Sequence, residues 1–230
     1  MISFVIPAHN EEALLGRTLA SVFDAARVCG RDFEVIVVDD ASTDRTSDIA
    51  TAAGAKVVNV DRRQISAVRN AGARAARGDI LVFIDADTTL PRPTLAAALR
   101  ALDRGAAGGG ARVQFDGAVS RLLDFLTFLF VMVWFSLGWA AGCFIFARRS
   151  AFEQAGGFDE RFFIAEELYM SEALKRVGPF VIIREKVITS DRKTRMYSLR
   201  DLLRQSAGIL LRGPAAFQKR EGLELWYGKR

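Results

Sequence analysis

Gly78-Asp79-Ile80-Leu81-Val82-Phe83-Ile84-Asp85-Ala86-Asp87-Thr88-Thr89 is the stretch from which the fold follows. Five apolar residues, Ile80 to Ile84, run straight into two aspartates separated by one small residue. A continuous run this short, opened by Gly-Asp, predicts a strand buried on both faces. Side chains alternate along a strand, so Asp85 and Asp87 share one side if the extended chain persists through Ala86. Carboxylates at the carboxyl end of a central parallel strand stand where open α/β sheets bind ligands. A hard divalent cation carrying phosphates, Mg2+ or Mn2+, would relieve their repulsion. Solvated turn residues, or caps of the next helix, are the alternative reading of an isolated Asp-x-Asp.

The flanks supply the rest of a parallel sheet. Ser3-Phe4-Val5-Ile6-Pro7 is a first strand stopped by proline, with Asn10 as the expected N-cap of a helix running to Val28 and closed by Gly30. Phe33 to Val38 is a second apolar strand, ending in Asp39-Asp40-Ala41-Ser42-Thr43-Asp44. A helix to about residue 53, a strand from Lys56 to Val60 and a helix from Ile65 to Arg77 precede the Asp-x-Asp strand. Pro91 and Pro93 open a further helix. Strand and helix alternating at this spacing predict an α/β fold, Rossmann-like, with helices on both faces of a mostly parallel sheet. Gly105 to Gly110 reads as a hinge or loop between two parts of the chain.

The second part is less regular. Ala111 to Phe115, Gly142 to Ala147, Phe180 to Ile183 and Val187-Ile188 read as strands. Glu166-Glu167 opens a helix that Gly178-Pro179 stops. After Tyr197, Leu199, Leu202, Leu203, Ser206 and Leu210 lie on one helical face. The expected organisation is one catalytic-size domain over 1–198, with a first half 1–104 and a second 105–198, and a basic amphipathic tail over 199–230.

A chain of 230 residues, half of them hydrophobic, can bury a sizeable core. Cys29 and Cys143 have no metal-ligand spacing and read as reduced thiols of a cytoplasmic protein. No basic segment precedes the first strand, so no signal peptide is expected. The net charge is +5, yet Arg184 to Arg230 holds 12 Lys or Arg against 5 Asp or Glu, so the basic character belongs to the tail. Its leucines, rather than interleaved aromatics, argue against nucleic acid.

Six pieces in this order carry a resemblance: Val5-Ile6-Pro7-Ala8-His9-Asn10-Glu11-Glu12, Val37-Val38-Asp39-Asp40-Ala41-Ser42-Thr43-Asp44, Arg69-Asn70-x-Gly72, the Asp79-to-Asp87 stretch, Arg148-Arg149-Ser150-Ala151-Phe152 with Gly156-Gly157-Phe158-Asp159-Glu160, and Glu166-Glu167. Over roughly residues 1 to 180 the chain resembles family 2 glycosyltransferases, inverting enzymes of the GT-A fold that take a sugar from a nucleotide-sugar. The resemblance implies a nucleotide-binding half, an acceptor-side subdomain and a divalent metal, Mn2+ or Mg2+, at Asp87. Asp85 would bind ribose or a metal-bound water, and Asp40 would accept a hydrogen bond from the base, which favours a UDP-linked donor. Asp40 also reads as a helix cap. Pro7, Ala8 and Glu11 would wall the base and ribose. Arg69 would reach the nucleotide or be a solvated helix charge. Glu167 would be the catalytic base, with Glu166 contacting the acceptor or holding the helix start, and the helix N-terminus would favour both as carboxylates.

The chain departs from the family's pattern in ways that matter. Glu166-Glu167 stands where Glu-Asp is usual. The Gln-x-x-Arg-Trp signature of processive synthases is absent, which argues against a polysaccharide synthase. The family often places a histidine late in the chain as a metal ligand, whereas the only histidine here is His9. Ser190-Asp191-Arg192-Lys193 occupies the late position, so either Asp191 ligates the metal or Arg192 and Lys193 neutralise the diphosphate directly. Two other functions compete. One is a sugar-phosphate nucleotidyltransferase, against which the Pro7-to-Glu12 loop counts, since it lacks a Gly-rich basic phosphate loop. The other is a non-catalytic nucleotide-sugar or membrane-surface binding module.

Phe125 to Ala147 is apolar enough to pass for a membrane span. A single crossing would put Asp87 and Glu167 on opposite sides of the membrane, so a span is rejected. Core, a homodimer contact through 122–147, and a helix lying in the membrane surface stay open. Trp134, Phe135 and Trp139, with the basic tail, suit peripheral binding to an anionic inner membrane face and a lipid-linked acceptor.

Overall fold

The structure is a computed structural model that describes residues 1–117 and 138–192. Of the 122–147 segment expected as core, homodimer contact or membrane-surface helix, residues 122–137 lie outside the described residues, as do Lys193 and the whole 199–230 tail, while Ala140 and Phe144 to Ala147 are buried. Among the described residues no helix is long and apolar enough to cross a membrane.

The elements run β1 (Ile2–Ala8), α1 (Leu15–Val28), β2 (Phe33–Asp40), α2 (Thr46–Ala52), β3 (Lys56–Val60), α3 (Ile65–Ala75), β4 (Ile80–Ile84), β5 (Thr88–Thr89), α4 (Arg92–Asp103), β6 (Gly108–Phe115), β7 (Phe144–Arg148), α5 (Arg149–Gln154), α6 (Glu166–Val177) and β8 (Phe180–Thr189). They build one 8-stranded sheet in the order β3-β2-β1-β4-β7-β6-β8-β5. β1 to β4 are parallel. β7 runs antiparallel to β4 and β6, and β8 parallel to β6.

Both faces are covered, as continuous apolar strands require. Ile2, Phe4 and Ile6 of β1 pack with Leu15, Leu19 and Val22 of α1 and with Leu95 and Leu99 of α4. On the other face Val5 joins Val68 of α3, Phe152 of α5 and Met170 and Leu174 of α6. That split follows the two-residue alternation of the strand.

Four expectations change. Asn10 does not cap α1, which begins five residues later without a side-chain cap. Instead Asn10 adopts a left-handed φ of 52°, and its Oδ1 accepts from the Thr43 N–H at 2.8 Å. Extended chain does not persist through Ala86 either. The Thr88 N–H donates to the Asp85 carbonyl at 3.1 Å, and the chain turns there. Gly108 to Gly110 are not a hinge but the start of β6 inside the sheet. A Cβ on Gly109 would lie 2.1 Å from the Val181 carbonyl oxygen. Finally, the two short late strands are one, β8, whose register with β6 shifts between Ala111 and Arg112.

Candidate active site

The carboxyl ends of β1, β2 and β4 supply the first group of side chains. Pro7 and Ala8, expected to wall the base and ribose, are buried at the end of β1. Asp39 holds its own loop, accepting from the Ser42 N–H at 3.0 Å and the Ser47 hydroxyl at 2.6 Å. The Asp40 carboxyl takes two backbone donors on one oxygen: Oδ1 accepts from Arg62 N–H at 2.6 Å and Arg63 N–H at 3.1 Å. Oδ2 has no hydrogen bond among the described residues. Asp40 therefore does not cap a helix; it is held by a loop with one acceptor to spare.

His9 braces that loop, a role the sequence did not suggest. Its Nε2 faces Arg63 Nη1 at 3.0 Å and its Nδ1 faces the Asp40 carbonyl at 2.8 Å. A guanidinium only donates, so Nε2 must accept and Nδ1–H must donate: the ring is the neutral tautomer.

Asp85 and Asp87 are close in sequence but held by different partners, because of the turn between them. Asp85 Oδ1 accepts from Arg69 Nη2 at 2.9 Å, with about a third of its side chain exposed. Asp87 Oδ1 lies 3.4 Å from the hydroxyls of Thr88 and Thr189. Among the described residues no group of three or more His, Cys, Asp or Glu is arranged to hold a metal. Two aspartates nonetheless fit Mg2+ or Mn2+, hard ions that bind one or two carboxylates and complete their shell with phosphate oxygens and water.

Arg69 is neither a solvated charge nor a side chain reaching open space. It is 2% exposed and bridges Asp85 to Glu166, whose Oε1 lies 2.7 Å from Nη1. Nη2 also donates to the Gly142 carbonyl at 2.7 Å. Burial works against its charge, but the Asp85 and Glu166 carboxylates outweigh that and raise its pKa. The next motif residue, Asn70, clamps the turn after α5 by donating to the Phe158 carbonyl at 2.8 Å and accepting from its N–H at 3.0 Å. Gly72 lets α3 approach the sheet, since a Cβ there would lie 2.3 Å from Val5 Cγ1.

Glu166 and Glu167 open α6, after Ala165 at a left-handed φ of 62°. Glu166 is buried against Arg69, and Glu167 is partly buried beside it. Burial, then the Glu166 charge, push the Glu167 carboxyl up to about 8. The helix N-terminus, expected to favour the ionised form, loses that contest.

The late loop arrives through β5 and β8, which pair antiparallel. The Ser190 N–H donates to the Asp87 carbonyl at 3.2 Å. Arg192 Nη2 then meets both Glu11 oxygens, at 2.8 and 2.9 Å, and lies 4.0 Å from Asp87 Oδ2. Glu11, expected to wall the base and ribose, is buried and pairs with this arginine. Of the two late-loop readings, the geometry brings the Arg192 cation to Asp87. Asp191 is buried, and its N–H donates to Asp116 Oδ1 at 3.2 Å.

The carboxyl ends of the strands thus carry an aspartate-held loop after β2, two further aspartates after β4 with Arg192 beside Asp87, and an acid pair reached through Arg69. The profile of glycosyl transferase family 2 matches residues 3–156, and the chain belongs to that family. The solved glucosyl-3-phosphoglycerate synthase of Mycobacterium tuberculosis, in complex with Mn2+, UDP and glucosyl-3-phosphoglycerate, aligns with a TM-score of 0.61 at 26% identity, over 92% of this chain and 78% of that one. A mannosyltransferase of Pyrobaculum calidifontis in complex with GDP-Man and Mn2+ shares the GT-A fold, with a TM-score of 0.63 at 22% identity over 81% of this chain and 56% of that one. An undecaprenyl-phosphate 4-deoxy-4-formamido-L-arabinose transferase of Pseudomonas paraeruginosa is 37% identical over 99 residues, which is 40% of this chain but only 29% of that relative.

Proposed function

We propose that the protein is an inverting glycosyltransferase that moves a sugar from a UDP-linked donor to a lipid-linked phosphate acceptor. The observation that carries the reading is the Arg69 bridge. It places the Asp85-x-Asp87 turn and the Glu166-Glu167 pair on one guanidinium, although they are about 80 residues apart in sequence. Asp40 Oδ2 accepts from the uracil imide, and Asp85 and Asp87 face the diphosphate. A divalent metal held by Asp87 and Asp85 supplies Lewis-acid neutralisation of the leaving diphosphate when bound. Glu167 takes the proton that the attacking acceptor oxygen carries, the P–OH proton of a phosphate monoanion or a hydroxyl proton, as that oxygen attacks the anomeric carbon from the side opposite the departing UDP. Arg192, beside Asp87, adds positive charge at the same end.

The lipid-linked acceptor is supported by the named substrate of the Pseudomonas relative, and by the basic, leucine-containing sequence of the tail, whose composition suits an anionic membrane surface. The test incubates a panel of UDP-sugars with Mn2+ and, separately, undecaprenyl phosphate or 3-phosphoglycerate, and reads UDP release. Turnover stimulated by the lipid phosphate supports the reading. Stimulation by 3-phosphoglycerate alone moves the acceptor to a small acid. Tight UDP binding without turnover for any donor makes the protein a binding module.

A further inference from the structure

Three parts of the chain meet on Arg69, which the family-level reading leaves as a nucleotide contact. The Asp85 carboxylate comes from the end of β4, the Gly142 carbonyl from the segment before β7, and the Glu166 carboxylate from the start of α6. The guanidinium lies 5.2 Å from the centre of the Phe158 ring, which backs it from the protein side. All the contacts fall on Nη1 and Nη2, while Nε is buried with no hydrogen-bond partner. An unpaired buried N–H is costly, so the side chain is placed for its terminal fork. At 2% exposure it has no surface to offer a nucleotide. A Cβ built on Gly142 would lie 3.5 Å from Arg69 Nη2 and 3.6 Å from Glu167 Cδ, so both pack against that one residue.

We propose that Arg69 is a positioning residue that makes Glu167 the base, by tying Glu166 to the donor-side carboxylate Asp85 and so keeping Glu166 from the acceptor. It acts through Glu166 and Asp85 and touches neither substrate. This rests on the assignment of Glu167 as general base. A lysine at 69 keeps the charge but not the fork, so it can hold one of the two acids and not both.

The experiment compares Arg69→Gln, Arg69→Lys, Glu166→Gln and the Arg69→Lys/Glu166→Gln double variant. UDP affinity with Mn2+ is measured by calorimetry, and kcat by UDP release from the donor the wild type turns over fastest. Arg69→Gln is expected to lose kcat on the order of 100-fold, the scale of a misplaced reacting group, with UDP affinity changed less than about threefold. Arg69→Lys falls in between, and it keeps the inference testable if the glutamine variant does not fold. In the double variant kcat should be no lower than in Arg69→Lys alone, because both changes break the same link. Losses that multiply, a UDP affinity that falls as far as kcat, or an unchanged kcat in Arg69→Lys each overturn the inference. Failure of the underlying reading looks different: Glu167→Gln would then turn over normally, while the Arg69–Glu166 coupling would still appear in thermal unfolding of the same four proteins.

Discussion

Turnover by the wild-type protein is expected to climb steeply between neutral and alkaline pH, and Glu166→Gln is expected to shift that climb. Burial and the neighbouring Glu166 charge hold the Glu167 carboxyl near 8. A general base acts only in its deprotonated form. With a value near 8, about one molecule in ten carries the active carboxylate at pH 7, and about nine in ten at pH 9. The rate at limiting donor should therefore rise about tenfold over that interval and then level off. In Glu166→Gln the like charge is gone while burial remains, so the midpoint should fall below the wild-type one. The assay is initial UDP release at donor well below KM, with Mg2+ as the metal because Mn2+ oxidises in alkali. A rate flat from about pH 6 to about pH 9, or a midpoint that moves up in Glu166→Gln, would refute Glu167 as the base.

The same raised carboxyl affects folding. The native state keeps the Glu167 proton that the unfolded chain releases above its ordinary value of 4.5, so this contribution to stability is full below that value and is lost as pH rises through about 8. Thermal melts should show that decline in the wild type and a smaller one in Glu167→Gln. Asp40→Ala should weaken UDP binding both with and without metal, whereas Asp87→Ala should remove the enhancement by Mn2+. Calorimetry separates the two, and an enhancement that survives in Asp87→Ala excludes that residue from the metal site. Gly72→Ala forces a methyl into Val5 and Val38. It should cost about 1–3 kcal/mol and lower Tm by roughly 3–10 °C, and an unchanged Tm would show that α3 can lift off the sheet freely.

The first half of the chain was legible because its signals are local. The runs up to Pro7, Val38 and Ile84 are almost continuously apolar, and turn residues punctuate the helices between them. What the sequence hid are partners. Arg69 and Glu11 each read as residues facing a ligand, because a charged side chain does not reveal which distant carboxylate or guanidinium neutralises it. The glycines at 108 to 110 read as a loop because they lack side chains. In fact the Val181 carbonyl and the Phe146 ring come so close that no side chain fits. His9 shows the same limit, since its tautomer follows from Arg63, 54 residues further on.

Because β5 takes its place in the sheet from β8, the site has an order of assembly as the chain is made. The first parallel pairings, β1 with β2 and β2 with β3, need only the first 60 residues. They bring Asp40 to its strand end early. Thr88 meets Thr189 across 101 residues, so the turn carrying Asp87 waits for the end of β8. At about 5–20 residues per second, a ribosome needs roughly 5–20 s to span that interval. Until then a nascent chain displays the Asp40 strand end without the turn that carries Asp87, so on the proposed reading a nucleotide diphosphate gains its full set of contacts only once β8 has been made.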